Sequence, residues 1–286
     1  MNVGIVLAGG GAKGAFQIGA LSALLPHIEK NGQKLKAISG TSIGAFNAAF
    51  VASGQFDKVK EIWESWNSAN CPLVKSPFVS PFLSFLTHGY AYKTPDEFLK
   101  SQLNGKDLLL SDIRYINTLV RAADGEMRYG GNIENKSLEV IYAEILASMA
   151  AVPITPAVTV DGHAYVDGGF RDTVPTKALI DNANCKLDMV YIIAVNPEKR
   201  VWNASLIENN NSSLLARINF AFNDILWDEA HRNDIAEGQR RLKSKCRIIY
   251  PMHSLGSGGD FSSTKIRDSI AHGLDMANRT LGFSQE

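Results

Sequence analysis

Three observations predict an α/β fold built in three layers, with a largely parallel central sheet covered by helices on both faces. Short apolar runs alternate along the chain with segments of helical spacing. Near the start, an apolar run passes through a glycine turn into a helical segment twice over: residues 3–7, 9–11 and 15–30, then residues 35–39, 40–44 and 45–52. Further along, residues 189–195 are almost wholly apolar without alternation, as suits a strand buried on both faces.

The elements follow in order. Residues 3–7 read as a strand, broken by Gly9-Gly10-Gly11. Residues 15–30 place Phe16, Gly19, Ala20, Ala23, Leu24, His27 and Ile28 along one helical face, and Pro26 distorts the last turn. A second strand and tight turn lead into a small-residue helix that Gly54 ends, and residues 55–68 form another helix. Residues 72–92 are rich in aromatics and proline and have no regular period. Thr94 caps a short helix with Pro95 at its first position. Asp124-Gly125, between residues 115–122 and 126–130, and Asp161-Gly162, between 157–160 and 163–167, signal two hairpins. Between them a helix over 138–150 ends before Pro153. A helix over 175–180 precedes the strand at 189–195. The polar run within 203–213 reads as a surface loop of the same domain. A helix (214–237), a strand (246–250) and a last helix (262–281) complete the pattern.

A length of 286 residues with 45% hydrophobic content suffices for one large domain or two small ones. The 29 basic and 29 acidic side chains balance, so no general attraction draws the chain to nucleic acid or anionic lipid. Membrane contact must then be local and apolar, or rest on a small basic patch. Three scattered cysteines, Cys71, Cys185 and Cys246, suit reduced thiols better than a disulfide framework or a zinc site. The apolar run at 3–8 is too short for a signal peptide and lacks a basic flank. No run approaches the ~20 apolar residues of a membrane span. A soluble, cytoplasmic protein is the expectation, with peripheral membrane contact left open. Nothing in the residues sets an oligomeric state.

Gly40-Thr41-Ser42-Ile43-Gly44 fits G-x-S-x-G between a strand and a helix, the setting of a nucleophile elbow. A serine there is thrown out at a helix start, where amides and the dipole favour an oxyanion. A plain serine N-cap is the simpler use. Gly9-Gly10-Gly11-Ala12-Lys13-Gly14 fits G-x-G-x-x-G. A dinucleotide site would need an acidic residue at the end of the second strand. Glu29 is at about the right separation, but it falls inside the first helix, and the strand ends in Ser39-Gly40-Thr41-Ser42. The alternative use is an oxyanion hole, since glycine leaves backbone N–H groups unhindered. Asp167-Gly168-Gly169 ends a short strand. Asp-Gly most often marks a turn, yet a carboxylate beside glycines can also lie close to a second backbone.

Together with residues 147–153 (Ala-Ser-Met-Ala-Ala-Val-Pro) and 165–175, these blocks resemble the patatin-like phospholipase family in order and spacing, over roughly residues 3–195. The resemblance implies a patatin-like hydrolase formed by one domain over 1–286, with residues 196–286 packed on it. It implies a serine lipid acyl hydrolase acting on phospholipids, lysophospholipids or similar esters. Ser42 would be the nucleophile and Asp167 the general base. Gly10, Gly11 and Ala12 would form the oxyanion hole, and Gly9, Gly14, Gly40, Gly44, Gly168 and Gly169 would shape the motifs. No cofactor or metal is implied.

Three alternatives stand beside it. The order Ser42, Asp167, His253 is that of an α/β-hydrolase triad, with His253 after the late strand. Residues 9–14 could serve a nucleotide-binding module. A non-catalytic relative would only bind lipid or protein. Residues 77–86, uncharged and carrying Phe78, Phe82 and Phe85, suit either a packed loop or an apolar rim for acyl chains.

Overall fold

The computed structural model describes residues 1–72, 90–133, 136–152, 155–199 and 225–282. The apolar segment at 77–86 and the loop at 203–213 lie outside the described residues. The chain order is β1 (Asn2–Leu7), α1 (Gly14–Lys30), β2 (Lys34–Gly40), α2 (Ile43–Ala52), α3 (Phe56–Ser65), α4 (Tyr90–Gln102) and α5 (Gly105–Leu109). Next come β3 (Arg114–Arg121), β4 (Met127–Gly131), α6 (Leu138–Ser148), β5 (Val158–Val160) and β6 (His163–Asp167). The series ends with α7 (Thr176–Asn182), β7 (Met189–Ile193), α8 (Trp227–Leu242), β8 (Cys246–Ile249) and α9 (Ser263–Leu281).

One eight-stranded sheet runs β5-β6-β3-β2-β1-β7-β8, with β4 also paired to β3. The pairs β1–β2, β1–β7, β2–β3 and β7–β8 are parallel, and those of β3–β4, β3–β6 and β5–β6 are antiparallel. The parallel centre is buried on both faces: Val3, Ile5, Val6 and Leu7 of β1, and Val190, Ile192 and Ile193 of β7, are fully shielded from solvent. Burying consecutive side chains on both faces is what removed the alternation from their sequence. Pro26 sits inside α1 without ending it, and Pro95 lies within α4 rather than at its start.

The arrangement around β3 positions everything that follows. One edge of β3 carries β4 along most of its length. The other edge is shared. Its first half, to Asn117, pairs with β2 in parallel, and its second half, from Leu119, pairs with β6 antiparallel. Because β2 and β6 run in opposite directions along this one edge, their C-terminal ends meet head-on opposite Thr118. Gly40 closes β2 against Asn117, and Asp167 closes β6 against Leu119.

β8 extends the sheet beside β7. Helix α9 packs against α1 through two glycines that face each other's backbones. A Cβ on Gly19 would run into the Ile270 carbonyl, and one on Gly273 into the Phe16 carbonyl. Gly273→Ala should therefore destabilise the protein although alanine is the better helix former. The propensity gain is about 1 kcal/mol, whereas overpacking against rigid backbone costs ~1–3 kcal/mol or more. A fall in Tm of several degrees in a thermal melt is the expected result.

Candidate active site

Between β2 and α2 the chain reverses within two residues. Ser42 takes φ 56° and ψ −126°, a conformation that side-chain-bearing residues rarely hold without compensation. The compensation is visible. A Cβ on Gly40 would strike the Gly44 carbonyl, and one on Gly44 the Leu7 carbonyl, so only glycine lets strand, turn and helix approach this closely. Thr41 is fully buried, donates through Oγ1 to the Asp172 carbonyl at 2.9 Å, and shares a 2.7 Å hydrogen bond with Thr118 Oγ1. The Ser42 N–H donates to Ser148 Oγ at 3.1 Å. Among the described residues the Ile43 N–H, first in α2, has no acceptor.

Asp167 is fully buried where β6 ends against the turn. Its N–H donates to the Ala150 carbonyl at 3.0 Å, and its Oδ1 accepts the Gly169 N–H at 2.7 Å. Oδ2 is buried with no formed hydrogen bond. Burial pushes the carboxyl up to about 7, with the Gly169 amide and the nearby Ser42 hydroxyl pulling it partly back. Gly168 has no room for a side chain beside Thr118, and a Cβ on Gly169 would lie 2.7 Å from the Trp227 ring.

The glycine loop lies against this pair. A Cβ on Gly9 would sit 3.3 Å from the Ser42 Cβ, and one on Gly14 2.7 Å from Ile43. Gly11 holds φ 57°. Among the described residues, the Gly10 and Gly11 N–H groups donate to nothing. The Ala12 N–H differs: it donates to the Gly258 carbonyl at 2.6 Å, so of the three amides expected to face an oxyanion, this one is engaged elsewhere. Lys13 Nζ reaches Asn196 Oδ1 at 2.8 Å, and Asn196 in turn donates to Asp228 on α8 at 3.1 Å.

The structure thus brings Ser42, Asp167 and residues 9–14 together. It does not bring His253 to them. That ring packs against His272 with centroids 4.1 Å apart, its Nδ1 lies 3.2 Å from the Ser254 carbonyl, and it bonds neither Ser42 nor Asp167. Glu29 remains inside α1, away from the end of β2, where a ribose would need it. Among the described residues no group of three His, Cys, Asp or Glu side chains could hold a metal, and no helix is long and apolar enough to cross a membrane. Sequence reasoning missed Ser148, Asn196 and Gly258. Of these only Ser148 left a signal, inside a block noted for its resemblance but given no role.

Comparison with known proteins accords with this geometry. Residues 5–180 match the family described as patatin-like phospholipase. The lysophospholipase NTE1 of Meyerozyma guilliermondii is 26% identical over 211 residues, covering 68% of this chain and 12% of that protein. The NTE1 lysophospholipase of Eremothecium gossypii is 29% identical over 182 residues, 60% of this chain and 11% of that protein. The chain thus spans only about an eighth of the length of these curated relatives. The crystal structure of VipD from Legionella pneumophila superposes with a TM-score of 0.51 at 15% identity, covering 98% of this chain and 66% of that one. That likeness concerns the fold. The chain belongs to the patatin-like phospholipase family.

A second carboxyl near the elbow carries a prediction. Burial, and then the charge of Asp234, push Asp172 up to about 7. A carboxyl raised in the folded state adds stability that is fully present below about 4 and is lost as pH rises through about 7. Asparagine keeps the shape and never ionises. The Tm of Asp172→Asn should therefore gain on wild type across that window, by roughly 5 °C or more at pH 8.5, with little change in the difference below pH 4. Paired thermal melts across the range check it.

Proposed function

We propose that the chain hydrolyses acyl esters of lipids, of the phospholipid or lysophospholipid kind, with Ser42 as nucleophile and Asp167 as its only general base. The observation that carries this reading is the meeting of a strained, glycine-framed serine with a buried carboxyl that has one oxygen unpartnered. Carbon–oxygen cleavage then runs in two halves. Ser42 Oγ attacks the ester carbonyl while its proton passes to Asp167 Oδ2. The oxyanion settles on the Gly10 and Gly11 N–H groups and the Ile43 N–H. Collapse of this intermediate expels the alcohol, which takes the proton from Asp167 and leaves an acyl-serine. Water then gives a proton to Asp167 and attacks the acyl group. Loss of the fatty acid returns the proton to Ser42.

An ordinary aspartate, near ~3.9, is a poor base for a hydroxyl. One pushed to about 7 is matched to neutral pH, where about half of it is ionised and that half is basic enough to act. Each amide of the oxyanion hole is worth roughly 3 kcal/mol of barrier. Support for a lipid substrate comes from the relatives named lysophospholipase and from the surface near Asp167. There Phe170, 44% exposed, packs on Trp227, and its neighbour in sequence, Leu226, is 59% exposed. Such a rim suits acyl chains and a peripheral membrane contact.

Ser42→Ala should abolish both ester hydrolysis and covalent labelling by a fluorophosphonate with little change in Tm. Asp167→Asn should keep the fold and lower turnover by several orders of magnitude. Since the base must be ionised, kcat/KM of the wild type should rise with pH and level off above about 7. His253→Ala should retain most activity. A folded His253→Ala protein as inactive as Ser42→Ala would overturn the dyad in favour of a triad.

A further inference from the structure

The stretch at the end of α6 touches both members of the proposed dyad. Ser148, the last residue of the helix and fully buried, accepts the Ser42 N–H at 3.1 Å. Two residues on, the Ala150 carbonyl accepts the Asp167 N–H at 3.0 Å. One short segment therefore holds the backbone of the nucleophile and the backbone of the base. It is firmly based. One turn before Ser148, Glu144 is fully buried, accepts the Gly131 N–H at 2.9 Å, and receives Lys136 Nζ at 2.7 Å. Residues four apart share a helix face, so α6 is pinned to the sheet by Glu144 and to the elbow by Ser148.

We infer that Ser148 is a positioning residue, whose hydroxyl oxygen sets the reach between the Ser42 hydroxyl and the Asp167 carboxylate. The inference rests on the dyad reading above. Ser42 holds a conformation that its own turn does not satisfy, because its N–H finds no acceptor in the β2–α2 connection and depends on Ser148. Asp167 Oδ2 makes no formed hydrogen bond. The separation across which the proton must move is thus governed by where the two backbones are held. A shift of about 1 Å in such a geometry can cost ~100-fold in rate.

The test compares Ser148→Ala, Ser148→Cys and Ser148→Thr by fluorophosphonate labelling rate and by hydrolysis of p-nitrophenyl butyrate against pH. Alanine removes the acceptor, cysteine keeps nearly the same volume with a weak acceptor, and threonine keeps the oxygen. The expected result is a ~10–100-fold fall in labelling rate and kcat for alanine and cysteine, with KM within about twofold, and a clear recovery in threonine. The acid limb should stay near the Asp167 value of about 7. Packing damage would instead admit water to Asp167 and move that limb toward ~4. Alanine as fast as wild type, or cysteine as fast as wild type, overturns the inference while leaving the dyad standing. So does an acid limb displaced toward 4. Should the alanine protein fail to fold, the cysteine and threonine pair decides. A wild type that the fluorophosphonate does not label overturns the dyad itself, and this inference with it.

Discussion

The site depends on two strands ending against each other. β2 and β6 occupy the same edge of β3 from opposite directions, and their ends meet opposite Thr118. Each brings one member of the proposed dyad to that point, Ser42 just past the end of β2 and Asp167 at the last position of β6. Only the position opposite Thr118 lies between the two ends. The glycines at 40, 44, 168 and 169 are the covalent expression of that crowding, because each lies where a Cβ would press on backbone or on a buried side chain. A parallel strand and an antiparallel one are both required, which is why the sheet departs from the all-parallel pattern at this point.

Electrostatics follow from the same meeting. A carboxyl fixed at a strand end inside the fold loses its water, and one neighbouring amide is too little to restore the charge. The cost to the folded protein and the fitness of Asp167 for the proposed role of base have the same origin. Asp172, five positions on, pays a similar penalty but has its backbone carbonyl committed to Thr41. The polypeptide between them therefore holds two neutral-leaning carboxyls within a short stretch. Only the first has an unpartnered oxygen beside a hydroxyl.

Much of this was legible in the residues. The repeated strand-glycine-helix units announced the parallel sheet, and the glycine framing of Ser42 announced the elbow, since both are local and have fixed spacing. The end-to-end meeting of β2 and β6 was not legible, because it is relayed through a third strand and joins residues far apart in sequence. Ser148 stood inside a block noted for its resemblance, but its role there was hidden for another reason. Its role is to accept one hydrogen bond, a property every serine has, and no period or charge marks it. The α1–α9 contact was equally silent, as Gly19 and Gly273 look like ordinary small residues until two backbones are seen to touch through them.

The hydrogen bond from the Ala12 N–H to the Gly258 carbonyl has a temporal side. Its donor belongs to the opening strand-loop-helix unit and its acceptor to the stretch before α9. Roughly 250 residues of synthesis lie between them, which at ~5–20 residues per second takes on the order of 10–50 s. Throughout that interval the glycine loop has its amides but lacks the carbonyl that holds one of them away. Nor has β7 yet arrived beside β1 for much of that time. The loop nearest the proposed nucleophile is thus made well before the segment that completes it. A nascent chain carries Ser42 long before it carries the Gly258 carbonyl, so the loop beside the proposed nucleophile takes its final form only as the late segments dock.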